Sequence, residues 1–390
     1  MRPALKVRES PAVAAPPEKV LSKKQHICFV APHLWPVLSA APGLEVVGGA
    51  EVQMCVLARV FAANGYRVSV ISMDYGQPDR AVVDGITVHK AFAPQAGVPG
   101  LRFLHPRLTS VWRKLGEVDA DLYYCRSASI WLWLATEFAA RRGRRTVYAG
   151  ASDKDFTADV GGQLRYARDR WLYRRGLAAV DCIVAQNEQQ VRTLRETHGR
   201  GASLIPSCYA PPAPKPVAEK NLVLWVGAIN ETKRPELLLE LAARLPERRF
   251  VMIGGPRSAE TRPYFERVRA QAATLPNVEF KGFLPLAQAE PWFDRARVFI
   301  NTSAYEGMPN TFLQAWARGV PTLATVDIGA PGAYTMFDDP APAAQEIERL
   351  FADEQHWRAR SAACRGYFES RYSCDSVLAR YGEVFEALAA

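Results

Sequence analysis

The 390 residues contain no uninterrupted apolar run of the roughly 20 residues that a membrane-spanning helix requires. The nearest approach, residues 130–140, is shorter and polar at its flanks, which suits a buried helix. Residues 1–24 mix proline, alanine and charge without the apolar core of a secretory signal, and are expected to form a mobile tail. Cysteine is sparse: seven residues, none in a C-x-x-C pair, so neither a zinc site nor a disulfide framework is indicated. A reducing cytoplasm fits that usage. No G-x-G-x-x-G follows the first apolar run, which argues against an NAD-dependent enzyme.

What is present is the composition of a globular chain. Apolar residues make up 48% and charged residues 23%, enough for a large core, and the length predicts two or three domains. Lys+Arg number 49 against 40 Asp+Glu, a net charge of +9. Such a balance favours anionic partners: nucleotide phosphates, acidic lipid or nucleic acid. It does not choose among them.

Short apolar runs alternate with helical stretches along the whole chain. Residues 26–31 read as a strand buried on both faces. A loop follows, then Gly48-Gly49-Ala50-Glu51 and a helix to about Asn64, stopped by Gly65. Further strands are expected at 67–73, 86–91, 122–125, 146–149, 182–185 and 203–205. The segment 206–220 holds five prolines and almost no large apolar residue, the signature of a stiffened linker. A second series of strands then reads at 222–227, 249–254, 278–281, 298–302 and 322–325. Residues 374–388 carry apolar positions at helical spacing. The expected class is α/β, with two parallel, doubly wound sheets.

The most informative stretch is 301–321. Its strand ends near Thr302, Gly307 makes a tight turn, and a helix is expected from Pro309, favoured where a missing N–H is harmless. The open N–H groups of Gly307, Asn310 and Thr311 would then face the cleft at the strand's carboxyl end, where phosphate is attracted. Glu306 can accept hydrogen bonds from sugar hydroxyls. Gln314 leans back towards the helix start and is expected to reach a ribose. A second strand–loop–helix, 224–236, sets Lys233 just ahead of a helix expected to begin at Pro235. A cation there does little for the helix but can neutralise a diphosphate.

Taken together, these segments resemble the glycosyltransferases of family 4, whose signature E-G-x-P-N precedes a second Glu eight residues after the first. The resemblance covers nearly the whole chain after the tail. It implies the GT-B fold: two Rossmann-like domains facing each other across a cleft, with a C-terminal helix crossing back to the N-terminal domain. The corresponding boundaries are a tail at 1–24, an acceptor domain at 25–205, a linker at 206–220, a nucleotide-sugar domain at 221–372 and the returning helix at 373–390. By resemblance, Glu306 holds the donor sugar, Lys233 the diphosphate, and Gln314 replaces the ribose-binding Glu. Met308, Pro309 and Phe283 would complete the donor pocket, with Gly48 and Gly49 facing the phosphates from the opposite side.

Besides Gln314, two positions depart from the family pattern. Ala228 replaces an arginine that accompanies the lysine, and Arg234 is the candidate for a second positive charge. Ser152 replaces a histidine, while the Asp153 beside it remains as an acceptor-side catalytic candidate. His33 is another residue after the first strand that could face the cleft, although a surface role is the plainer reading. Asp119-Ala-Asp121 and Asp153-Lys-Asp155 spell D-x-D, but no metal is expected.

The resulting expectation is a retaining transferase moving sugar from a nucleotide-sugar donor to a glycan or lipid-linked acceptor, without cofactor or nucleic acid. Cell-surface polysaccharide or glycoconjugate synthesis is the expected setting. The basic stretches 102–114, 141–145 and 163–175 suggest peripheral contact with an anionic membrane at the cytoplasmic face. A catalytically silent scaffold and a nucleotide-sugar epimerase of the same fold are the alternatives.

Overall fold

The computed structural model describes residues 25–39, 49–98, 102–160, 164–211, 219–256, 260–306 and 308–389. The expected tail, Gly48, Gly307 and residues 212–218 of the proposed linker lie outside them.

The first half forms an eight-stranded sheet. Its strands are β1 (His26–Val30), β2 (Arg67–Ser72), β3 (Ala81–Val83), β4 (Ile86–Lys90), β5 (Leu122–Arg126), β6 (Arg145–Ala149), β7 (Cys182–Ala185) and β8 (Ser203–Leu204), in the order β3-β4-β2-β1-β5-β6-β7-β8. All pairs are parallel except β3 with β4. That antiparallel edge strand was not expected, because its three residues are too short for a sequence pattern.

Every residue of β1 is buried, and its side chains divide by parity between two cores. Ile27 and Phe29 pack beneath α1 (Trp35–Ser39) and α2 (Gly49–Ala63). Cys28 and Val30 face α3 (Thr109–Val118), α4 (Ile130–Arg142), α5 (Ala167–Ala179) and α6 (Glu188–His198). A strand without a polar face demands this cover on both sides. The short helix α1 lies where a loop was expected.

The second sheet runs β11-β10-β9-β12-β13-β14, all parallel. Its strands are β9 (Leu222–Val226), β10 (Arg249–Ile253), β11 (Val278–Gly282), β12 (Ala296–Asn301), β13 (Thr322–Ala324) and β14 (Thr335–Met336). The helices between them are α7 (Glu236–Arg244), α8 (Arg262–Ala272), α9 (Leu286–Arg295) and α10 (Asn310–Ala317), followed by α11 (Pro340–Ala352) and α12 (Glu354–Arg371). In each sheet the strand order reverses beside the first strand of that half. An open α/β sheet places its ligand crevice at such a point, outside the strands' carboxyl ends.

After α12 the chain crosses back. Helix α13 (Cys374–Ala389) buries Val377, Tyr381 and Phe385 in the first half's core. Tyr381 meets Tyr124 hydroxyl to hydroxyl at 3.1 Å, and Phe385 packs on Phe61 at 5.5 Å between ring centroids. Each fully buried aromatic side chain contributes on the order of 2–3 kcal/mol. The last helix therefore tethers the second half to the first. Among the described residues, no helix is long and apolar enough to cross a membrane.

His26 makes the first sheet acid-sensitive. Its ring is buried, with Nε2 2.8 Å from Ser69 Oγ. Burial, aided by Arg67, pulls its pKa from 6.5 to about 4. Below pH 6.5 the unfolded chain accepts a proton that the folded chain refuses, so this contribution is complete above 6.5 and is lost as pH falls towards 4. The loss should reach up to about 3 kcal/mol. An NMR titration of the His26 ring is expected to show a midpoint near 4; a midpoint near 6.5 would remove this source of acid sensitivity.

Candidate active site

Two loops of the second half build the site. The first follows β9. The Asn230 side chain accepts from the Lys233 N–H at 3.1 Å and closes a 3-10 turn, Glu231–Lys233. Arg234 then takes a left-handed conformation, φ 44°, and Pro235 caps α7. The expected helix start at Pro235 thus moves one residue on. The second loop follows β12, where Thr302 and Ser303 are fully buried. Pro309 has an extended ψ of 135° and stands just ahead of α10 rather than inside it. Phe312, Leu313 and Trp316 drive α10 into the core. No side chain caps its first turn, so the N–H groups of Asn310 and Thr311 sit at an end suited to an anion.

Buried hydrogen bonds stitch these loops together. Thr302 Oγ1 donates to the Lys233 carbonyl at 2.6 Å and accepts from Trp225 Nε1 at 2.9 Å. The Ala304 N–H donates to the Thr232 carbonyl at 2.8 Å. As a result Lys233 Nζ forms an ion pair with Glu306 Oε1, which also accepts from Ser303 Oγ at 2.7 Å. The Lys233 side chain is 26% exposed and that of Glu306 15%, so both reach the cleft. A cation and a carboxylate thus meet beside an open helix start. The cation suits a diphosphate and the carboxylate suits sugar hydroxyls, and a phosphate arriving at Lys233 must compete with Glu306 for it.

The first half faces this pair. Asp153 and Glu306 line one cavity of about 430 Å³, with Met308, Asp327, Tyr367 and Arg371 among its other walls. Asp153 Oδ1 accepts from Asn187 Nδ2 at 3.1 Å and Gln190 Nε2 at 3.0 Å, which aims its carboxylate. Ser152 is occupied as a helix cap: its hydroxyl accepts from the Lys154 N–H while Asp155 reaches back, a capping box. Asp155 is fully buried and turned inward, so Asp153 and Asp155 do not share a ligand. Asp119 and Asp121 are bonded to Arg144, away from this cavity. His33 is exposed and bonds Tyr75 at 3.1 Å.

Across the cleft, Gln53 Nε2 of α2 donates to Asn310 Oδ1 at 3.3 Å. Gln53 was not singled out from the sequence, since its partner lies 257 residues away. Gly49 opens α2 with free space around it. Phe283, after β11, is 75% exposed and its Cβ lies close against Gly255. A Cβ at Gly254 would strike the Gly227 carbonyl, so glycine is required where the ends of β9 and β10 approach.

Two expected site residues are bonded within the fold. Arg234 does not present its charge to the cleft: its guanidinium donates to the Thr302 and Ser303 carbonyls at 2.9 and 3.2 Å and to Thr325 Oγ1 at 2.8 Å. It braces the β12 loop. Gln314, expected to reach a ribose, is bonded to a side chain of the second half instead. It is 6% exposed, and its amide donates to Glu290 Oε1 at 2.7 Å. Glu290 Oε2 accepts from Arg318 at 2.6 Å and from Tyr209 at 2.7 Å. Arg318 also binds Asp294 at 2.7 Å. The departure from Glu at this position has a physical cause, because a second carboxylate would face Glu290.

Gln314→Glu is accordingly expected to lower stability by about 2–4 kcal/mol, through a lost donor and a buried like-charge contact. Denaturant unfolding measures it, and adding Glu290→Gln should recover much of the loss. Equal stability of Gln314→Glu and the parent would contradict this account.

Comparisons with known proteins agree with the geometry. Residues 47–208 match the family Glycosyltransferase Family 4, and residues 220–353 match Glycosyl transferases group 1. The D-inositol 3-phosphate glycosyltransferase of Geodermatophilus obscurus is 25% identical, over 90% of this chain and 88% of that protein. The lipopolysaccharide core biosynthesis glycosyltransferase LpsE of Rhizobium meliloti is 27% identical, over 35% of this chain and 41% of its own length. Among solved structures, sucrose-phosphate synthase from Thermosynechococcus elongatus superposes with a TM-score of 0.68 at 20% identity, covering 94% of this chain and 99% of that one. Anabaena HepE, solved with UDP and glucose, gives 0.68 at 15% identity, covering 93% and 99%. Both halves of the sequence and the arrangement of the sheets lead to one assignment: the chain belongs to glycosyltransferase family 4 and is a nucleotide-sugar-dependent glycosyltransferase of GT-B fold.

Proposed function

We propose that the donor's diphosphate lies against Lys233 and the open first turn of α10, with its sugar hydroxyls on Glu306. The observation that carries this reading is the meeting of Lys233 and Glu306 at the cleft, beside an uncapped helix start. Breaking the glycosidic bond leaves negative charge on the departing phosphate. A lysine and backbone N–H groups fixed there stabilise that charge without rearranging. Gly48, Gly49, Gly307, Met308, Pro309, Asn310 and Thr311 form the surrounding donor surface in this scheme, and Phe283 offers a ring and backbone beside the base. Arg234 acts from behind, by holding the carbonyls of the β12 loop.

The acceptor enters from the first half, near Asp153, and is a glycan or a lipid-linked sugar. Configuration at the transferred carbon is retained, as the family assignment implies. Synthesis of a cell-surface polysaccharide or glycoconjugate fits this reading. The relative named for lipopolysaccharide core biosynthesis supports that class of product. The proposed location is the cytoplasm, at the inner face of the membrane.

A panel of UDP-, GDP- and ADP-sugars is expected to contain one that raises the melting temperature and is turned over when acceptor is added. Lys233→Ala should then lower kcat/KM about 100- to 1000-fold while leaving the melting temperature of the free protein nearly unchanged. Turnover unaffected by that change sinks the role of Lys233. Stabilisation without turnover under any acceptor favours a silent scaffold, and sugar released without acceptor favours an epimerase.

A further inference from the structure

Segments from all three basic stretches of the first half meet at one groove, which is aromatic and carries Arg141 and Arg175. A groove of about 480 Å³ between α3, α4 and α5 is walled by Leu108, Trp112, Trp133 and Trp171, with Arg175 and the Arg141–Glu137 ion pair (2.7 Å) at its margin. Trp171 is 55% exposed; beside it on the surface stand Tyr166 and Leu104, also more than half exposed. Arginines lie flat on these rings. The Arg141 Cζ is 5.1 Å from the Trp112 centroid, that of Arg175 5.0 Å from Trp171, and that of Arg168 3.2 Å from Phe103. Residues 164–175 hold five arginines against one aspartate. Arg174 and Arg175 form no ion pair among the described residues.

A solvated charged face has no use for three tryptophans, and exposed apolar patches of this kind mark a partner. We propose that this face docks on the surface of an anionic bilayer. Such a surface offers both halves of the match: phosphate oxygens for the arginines, and the boundary between headgroups and acyl chains for the amphipathic rings. Stacking leaves a guanidinium edge available to phosphate while its flat side is covered by the ring. Arg175 carries no ion pair among the described residues, whereas a headgroup phosphate must compete with Glu137 for Arg141 and with Asp169 for Arg168. The groove then takes the first part of an acyl chain or the side of a headgroup. The inference extends the membrane part of the functional reading to named residues. Docking needs no turnover, so its failure leaves the transferase reading intact, and a failed transferase assay leaves docking intact.

Vesicle co-sedimentation of the full chain tests it. Vesicles of phosphatidylcholine with about a third phosphatidylglycerol should retain the protein, less so as salt rises, and pure phosphatidylcholine should not. Arg141→Glu with Arg175→Glu should weaken retention at least about tenfold, given roughly fivefold per basic residue near such a surface. Arg244→Glu, on α7 of the other half, should change it little. Trp171→Ser should weaken it severalfold and remove part of the tryptophan quenching by brominated acyl chains seen in the parent. Melting temperatures of the variants verify folding, and the quenching of the parent reads out the contact without any substitution. Equal retention on neutral vesicles, retention unchanged in the double variant, or binding to RNA but not to vesicles overturns the proposal.

Discussion

A strand that is apolar on both faces has to be covered on both faces, and most of this molecule follows from meeting that demand twice. Parallel neighbours need a crossover, and the crossovers supply the covering helices. Every strand but β3 therefore points the same way within its layer, and the crossover helices begin at the same edge. That edge collects loop backbones and open helix starts, the groups that bind anions. Two such edges, facing one another and tied by α13, make a cleft with phosphate-binding potential on both walls.

Within that frame the chemistry depends on a small number of buried polar contacts. Thr302 is not itself a ligand-binding residue, yet its hydroxyl and the Trp225 indole hold the Lys233 backbone against the end of β12. Arg234 clamps the same strand end from behind. With both loops held, Lys233 and Glu306 have little freedom except towards each other or towards the cleft. Charge stabilisation is effective when it is fixed in advance, and this is how the second half fixes it.

The cluster of Gln314, Glu290, Arg318, Asp294 and Tyr209 explains a residue that looks anomalous by family pattern alone. Two acids already share Arg318, and Glu290 needs a further donor rather than another acceptor. Glutamine supplies it. Tyr209 also ties this cluster to the chain between the two sheets, and its N–H donates to the Tyr372 carbonyl where α12 gives way to α13. The two connections between the halves are therefore joined to each other at this point.

The sequence by itself determined the alternation of strands and helices, the existence of the last helix, and the place of Glu306 just ahead of a helix start. These rest on local signals: continuous apolar runs, glycine and proline stops, and helical spacing at Val377, Tyr381 and Phe385. That the last helix crosses back was implied by the family resemblance. Departures at Ala228, Ser152 and Gln314 were legible as departures, but not their causes. Tertiary structure decided that Arg234 turns to carbonyls, that Gln314 faces Glu290, and that Gln53 meets Asn310 across the cleft. It also brought Arg141 and Arg175, from two separate basic stretches, to one aromatic groove. The reason is the same in each case. A side chain's partner, when it lies on another helix or in the other half, leaves no spacing in the sequence to read.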